Sequence, residues 1–148
     1  MQGIKSWRLE TGVRSPESGA MQGTQNATRN TPHPSLDELS TLGVNTLAEF
    51  YQERGFATST LSPEQFPLQP ATLADLLGGD RYANAEIVRR ILSGDERGPK
   101  RDAVLLNAGA ALLVAGRARS ISEGWELAGD VIDGGQAQVK LQALAAPQ

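Results

Sequence analysis

The sequence predicts an α+β fold, mostly helical, with one β-hairpin and a disordered amino-terminal tail. Three observations lead to it. Apolar residues recur at helical spacing from Leu73 onward, β-formers cluster in two short runs between Thr46 and Leu61, and the first 35 residues have no apolar period.

Residues 1–35 are rich in Gly, Ser, Thr, Asn and Pro, with too few apolar side chains to repay the entropy of ordering. They carry four basic and two acidic residues, a net +2, whereas the remainder carries ten basic and fifteen acidic, a net −5. This shift sets a boundary near Ser35 and divides the 148 residues into a tail, 1–35, and a folded part, 36–148. His33, the single histidine, stands between Pro32 and Pro34 in the tail and reads as a solvated residue, neither base nor ligand.

Thr46 to Tyr51 and Phe56 to Leu61 read as two strands joined at Gly55, a hairpin over 46–61. Pro63, Pro67 and Pro70 then remove backbone donors, so the stretch that holds them is a connector. Thr72 is placed to cap a helix near 73–77, stopped by Gly78-Gly79, and Asp80 to cap another near 81–93, stopped by Gly94. In the latter, Ala83, Ile87 and Ile91 mark a buried face. Pro99 suits a first helical position, and the run to Ala115 is apolar nearly all round, so this helix must be central. Ser120 with Glu123 forms a capping box that opens a last helical segment near 121–144. Gly129, Gly134 and Gly135 each cost about 1 kcal/mol against Ala in a helix interior. The segment therefore breaks near Gly134 unless packing supports it.

Composition excludes several function classes. A net charge of −3 offers no basic field for nucleic acid, which leaves small molecules or other proteins as default partners. The absence of cysteine removes disulfides, thiolate metal sites and cysteine nucleophiles. Lys5, Arg8 and Arg14 are followed by no apolar run, so no secretory leader is expected. The longest apolar stretch, Ala103 to Ala115, is broken by Asn107 and falls short of the roughly 20 residues of a membrane span. A cytoplasmic protein without membrane association is expected.

The stretch GDERGPKRDAVLLNAGAALLVAGRA, from Gly94 to Ala118, resembles the closing helices of anthranilate phosphoribosyltransferases, whose pattern there is GPRRDAVLLNAAAAL-like. Leu76-Leu77-Gly78-Gly79-Asp80 with Asn84-Ala85 resembles that family's LxGGDxxxNAxI segment, and Leu61 to Phe66 its TPEDFG-like segment. Leu36-Asp37-Glu38-Leu39-Ser40 matches its LDE(I/L)S motif in the right order. The resemblance covers residues 36 to about 144, the closing third or so of a complete member. It implies a carboxy-terminal piece of an α/β domain in a fold like that of nucleoside phosphorylases. The family transfers phosphoribosyl from phosphoribosyl pyrophosphate to the amine of anthranilate in tryptophan biosynthesis, using magnesium.

Carried over residue by residue, the resemblance makes Asp37 and Glu38 the magnesium ligands. Without it, two adjacent acids after a proline-rich loop are ordinary solvated residues. The magnesium reading suits a hard cation that takes one or two carboxylates plus substrate phosphate oxygens. The family's GTGGD-like phosphate loop and its KxGNR-like segment are absent, and His33-Pro34-Ser35 replaces a HGxG-like approach to the motif. Gly78-Gly79-Asp80 belongs to the later LxGGD segment and reads as a turn, with no ligand. No catalytic residue is assigned, and the chain alone is expected to be inactive. Phosphoribosyl pyrophosphate and anthranilate are the implied small-molecule partners. The implied protein partner is a second copy in a homodimer or an amino-terminal enzyme portion. The alternative function is a non-catalytic helical binding module. Asn107 reads as an amide satisfied by backbone, and Arg89-Arg90 and Lys100-Arg101 as solvated helix faces and ends, with a specific ion pair as the alternative for the latter.

Overall fold

A computed structural model describes the backbone of residues 4–10 together with residues 38–51 and 55–146. The order is β1 (Ile4–Glu10), β2 (Asn45–Tyr51), β3 (Gly55–Leu61), a 3-10 turn at Pro63–Gln65, α1 (Leu73–Leu76), α2 (Arg81–Leu92), α3 (Pro99–Val114), α4 (Ile121–Asp133) and α5 (Gln136–Ala145). Strands β2 and β3 form the expected hairpin in antiparallel register, Asn45 opposite Leu61 and Phe50 opposite Phe56. β1 lies within the stretch 1–35 expected to be a disordered tail; it pairs antiparallel along the other side of β2, so β2 is the central strand. Other expectations for the tail, His33 included, lie outside the described residues.

Helix starts follow local chemistry. The Asp80 carboxylate accepts from the N–H groups of Tyr82 and Ala83, both at 2.9 Å, and caps α2. At α1 the Asp75 carboxylate accepts from the N–H and the hydroxyl of Thr72. Those bonds hold the Asp75 carboxyl below its ordinary range. Ser120 caps α4 by accepting from Glu123 N–H at 3.1 Å, while the Glu123 carboxylate reaches back to Arg119 N–H at 2.7 Å. The reciprocal bond of the box thus falls one residue earlier than the usual pattern. The last segment does break: α4 ends at Asp133, and Gly135, at φ 75°, turns the chain into α5. A side chain in that left-handed region would be strained.

Helix α3 is the central element, as its all-round apolar character predicts. Leu105, Leu106 and Ala110 are buried with Trp125, Ala128 and Ile132 of α4, and Leu39, Leu61, Phe66 and Ile91 complete the core. Phe66 meets Trp125 with ring centroids 5.6 Å apart, in the range of favourable tilted aromatic pairs. The crossing of α3 and α4 is made by two glycines. A Cβ on Gly124 would lie 2.3 Å from the carbonyl oxygen of Gly109, and one on Gly109 would lie 2.8 Å from Trp125 N. Only glycine lets these backbones approach so closely.

Candidate functional site

Of the two expected metal ligands, Asp37 lies outside the described residues. Glu38, the first residue described after β1, is exposed and makes no hydrogen bond or ion pair among the described residues. It stands at a groove of about 840 Å³ bounded by the segment 38–42, α1, α2 and α3. Lining residues include Ser40, Leu42, Leu73, Leu76, Asn84, Ile87, Val88, Lys100, Val104, Asn107 and Ala111. The lining is largely apolar, with the carboxylate of Glu38 and the ammonium of Lys100 as charged groups; Lys100 Nζ donates to the carbonyl of Asp75. Among the described residues no cluster of three His, Asp or Glu side chains could hold a metal by itself. An exposed carboxylate without an ion pair among the described residues nevertheless suits magnesium, which keeps water and phosphate oxygens for most of its shell.

The backbone after Glu38 is fixed by two amides. Asn107 on α3 accepts from Leu39 N–H at 2.8 Å and donates to Leu39 O at 3.0 Å, while its amide also donates to Ala103 O. Asn45, fully buried at the start of β2, accepts from Ser40 N–H at 2.7 Å and donates to Ser40 O at 2.9 Å. The sequence indicates the backbone bonding of Asn107 but not its partner, 68 positions away. Asn45 is missed altogether, because its partner Ser40 lies outside the strand that Asn45 opens and nothing local marks the contact. A third amide, Asn84, grips Gly79 through both its N–H and its carbonyl. With the Asp80 carboxylate committed to the α2 cap, Gly78-Gly79-Asp80 forms the connection from α1 to α2.

Arg101 departs from the solvated reading. It is buried and donates to Asp133 Oδ1 at 2.8 Å, with Arg97 joining the same oxygen at 3.2 Å, so the ion-pair alternative is the one realised. The reason is position: the first turn of α3 lies beneath the end of α4. Arg89 and Arg90 do lie exposed, paired with Glu86 and Glu96. The hydrogen bond from Arg101 holds the Asp133 carboxyl below its ordinary range. Burial pushes the neighbouring Asp102 carboxyl up, against a 2.8 Å hydrogen bond from Gln69 N–H and the charge of Arg101.

The sequence model of the glycosyl transferase family, a/b domain, matches residues 23–138, beginning upstream of the boundary expected near Ser35. An anthranilate phosphoribosyltransferase of Geobacter sp. strain M21 is 47% identical over 111 residues, covering 75% of this chain and 31% of that protein. The crystal structure of anthranilate phosphoribosyltransferase from Thermus thermophilus is 40% identical with a TM-score of 0.65, covering 75% of this chain and 32% of that one. A solved variant of the Saccharomyces cerevisiae anthranilate phosphoribosyltransferase with Mg bound is 26% identical with a TM-score of 0.65, over 74% of this chain and 32% of that one. The chain thus spans about a third of the length of the relatives it matches. Among the described residues no helix is long and apolar enough to cross a membrane.

Proposed function

For a chain that belongs to the glycosyl transferase family, a/b domain, we propose the role of the magnesium-holding closing part of an anthranilate phosphoribosyltransferase. Asp37 and Glu38 would hold the ion, whose chemistry is to neutralise the pyrophosphate of phosphoribosyl pyrophosphate. The observation that supports this most is Glu38 itself: exposed, uncommitted to any described residue, and standing on a backbone fixed at the next two positions. The other requirements of phosphoribosyl transfer are fixed donors for the departing pyrophosphate and a pocket for anthranilate. The family's glycine-rich loop and KxGNR-like segment supply them, and neither occurs in this sequence. The chain by itself is therefore inactive and works with an amino-terminal enzyme portion, which would cover the open groove.

The test is metal binding in the presence of pyrophosphate. Mn2+ should broaden the amide signals around Leu39 in the parent chain and leave them sharp in the double variant Asp37→Ala, Glu38→Ala. Equal broadening in both would remove the assignment. The competing reading, a non-catalytic helical binding module, rests on the same groove and predicts no Mn2+ response in either protein.

A further inference from the structure

The two amides behind Glu38 do more than satisfy backbone. A residue offers one N–H and one carbonyl, and an asparagine amide offers an acceptor oxygen beside an NH2 group with two donors, so a single Asn can engage both groups of one residue at once. Asn107 does this to Leu39 and Asn45 to Ser40, consecutive residues held from two different elements, α3 and β2. Each amide is itself oriented by a further bond, Asn107 to Ala103 O at 3.0 Å and Asn45 to Gly43 O at 3.2 Å. Core packing does not need this arrangement, because the apolar side chain of Leu39 already fills the core beside Ala110. What the clasps add is a fixed direction for the backbone that leads into Glu38.

We infer that Asn107 and Asn45 are positioning residues for the metal-holding segment: together they set where the Glu38 carboxylate stands relative to the groove. The inference rests on the metal reading above. Asparagine suits the task, because Asp at either position loses the donor and sets a carboxylate against a carbonyl oxygen, while Gln carries the amide one methylene too far.

The experiment uses the whole chain with Mn2+ and pyrophosphate as the probe, comparing the parent with Asn107→Ala, Asn107→Asp and Glu38→Gln. Ile132→Val in α4, a residue that takes part in neither clasp, serves as a control that weakens the core. Loss of an outer partner to a metal ligand typically lowers affinity by roughly 10- to 100-fold. Both Asn107 variants are expected to lose at least about tenfold in Mn2+ affinity by that measure. They should also lose hydrogen-exchange protection at Leu39 and Ser40, while Ile132→Val keeps both. Asn107→Asp preserves side-chain volume and one acceptor, so it reports on the clasp if the alanine variant fails to fold. Unchanged Mn2+ affinity in a folded Asn107 variant, with Glu38→Gln defective, overturns the positioning role and leaves the metal reading standing. Equal weakening in Ile132→Val also overturns it, as an effect of global stability. A parent chain that binds no Mn2+ overturns the metal reading and the positioning role together.

Discussion

The α3–α4 crossing and the groove beside α2 are built on opposite principles, although α3 contributes to both. At the crossing, backbones touch through Gly109 and Gly124, Leu106 is wholly buried, and the ion pair of Arg101 with Asp133 ties the two helices at one end. At the groove, Leu42, Leu73 and Val88 stay exposed, and order comes from amide clasps and helix caps. The difference teaches where the fold is self-sufficient. Its stability resides in the helix crossing, and the proposed metal-holding segment borders a face that the described residues leave open. Exposed apolar surface rimmed by polar groups is the usual mark of a binding face.

The largest break in that comparison should come from Leu106→Ala. Removing a fully buried leucine side chain costs about 2–5 kcal/mol by loss of transfer energy and creation of a cavity, readable by urea denaturation. Gly124→Ala comes next, since the new methyl meets backbone and not a movable side chain. Overpacking of this kind costs about 1–3 kcal/mol, and the near-ultraviolet signal of the adjacent Trp125 should change with it.

A smaller effect separates buried Asp102 from exposed Asp133, and pH reads its sign. Asp133 is depressed below its ordinary value of 3.8, so its contribution is present above that value and lost as pH falls through the lowered one. Asp133→Asn should therefore lose ground against the parent as pH rises through the acid range. Asp102 is raised above 3.8, so its contribution is present below that value and lost as pH rises through the raised one. Asp102→Asn should gain ground against the parent over that interval. Melting temperatures at pH 3, 5 and 7 decide both, and slopes of the same sign would contradict the account.

The smallest effect belongs to the groove. Val88→Ser, on an exposed wall, should change stability within about 0.5 kcal/mol, as surface substitutions usually do. A loss comparable to that of Leu106→Ala would mean that the two regions are not built differently after all.

Much of this architecture was legible in the sequence because its signals are local. Asp80 and Ser120 cap bonds that lie within three residues, Gly134-Gly135 stops a helix at its own position, and the run from Ala103 to Ala115, apolar but for Asn107, announces a central helix. Features that depend on distant partners were not legible. Gly109 and Gly124 look like poor helix residues until their helices cross, and Arg101 looks solvated until α4 ends beside it. β1 pairs across a long interval of chain with no turn to announce it. At the site, Asp37 and Glu38 were chosen by resemblance. The amides that hold the following residues could not be, since Leu39 and Asn107 are brought together only by the fold.

The central claim is that this chain carries the metal-holding segment of a phosphoribosyltransferase without the donors that complete the reaction. It is tested most directly by following anthranilate fluorescence with phosphoribosyl pyrophosphate and Mg2+, for the purified chain and for its Asp37→Ala, Glu38→Ala variant. The account predicts no turnover above background in either. Turnover by the parent that disappears in the variant would contradict it, because some segment of these 148 residues would then be cradling the pyrophosphate.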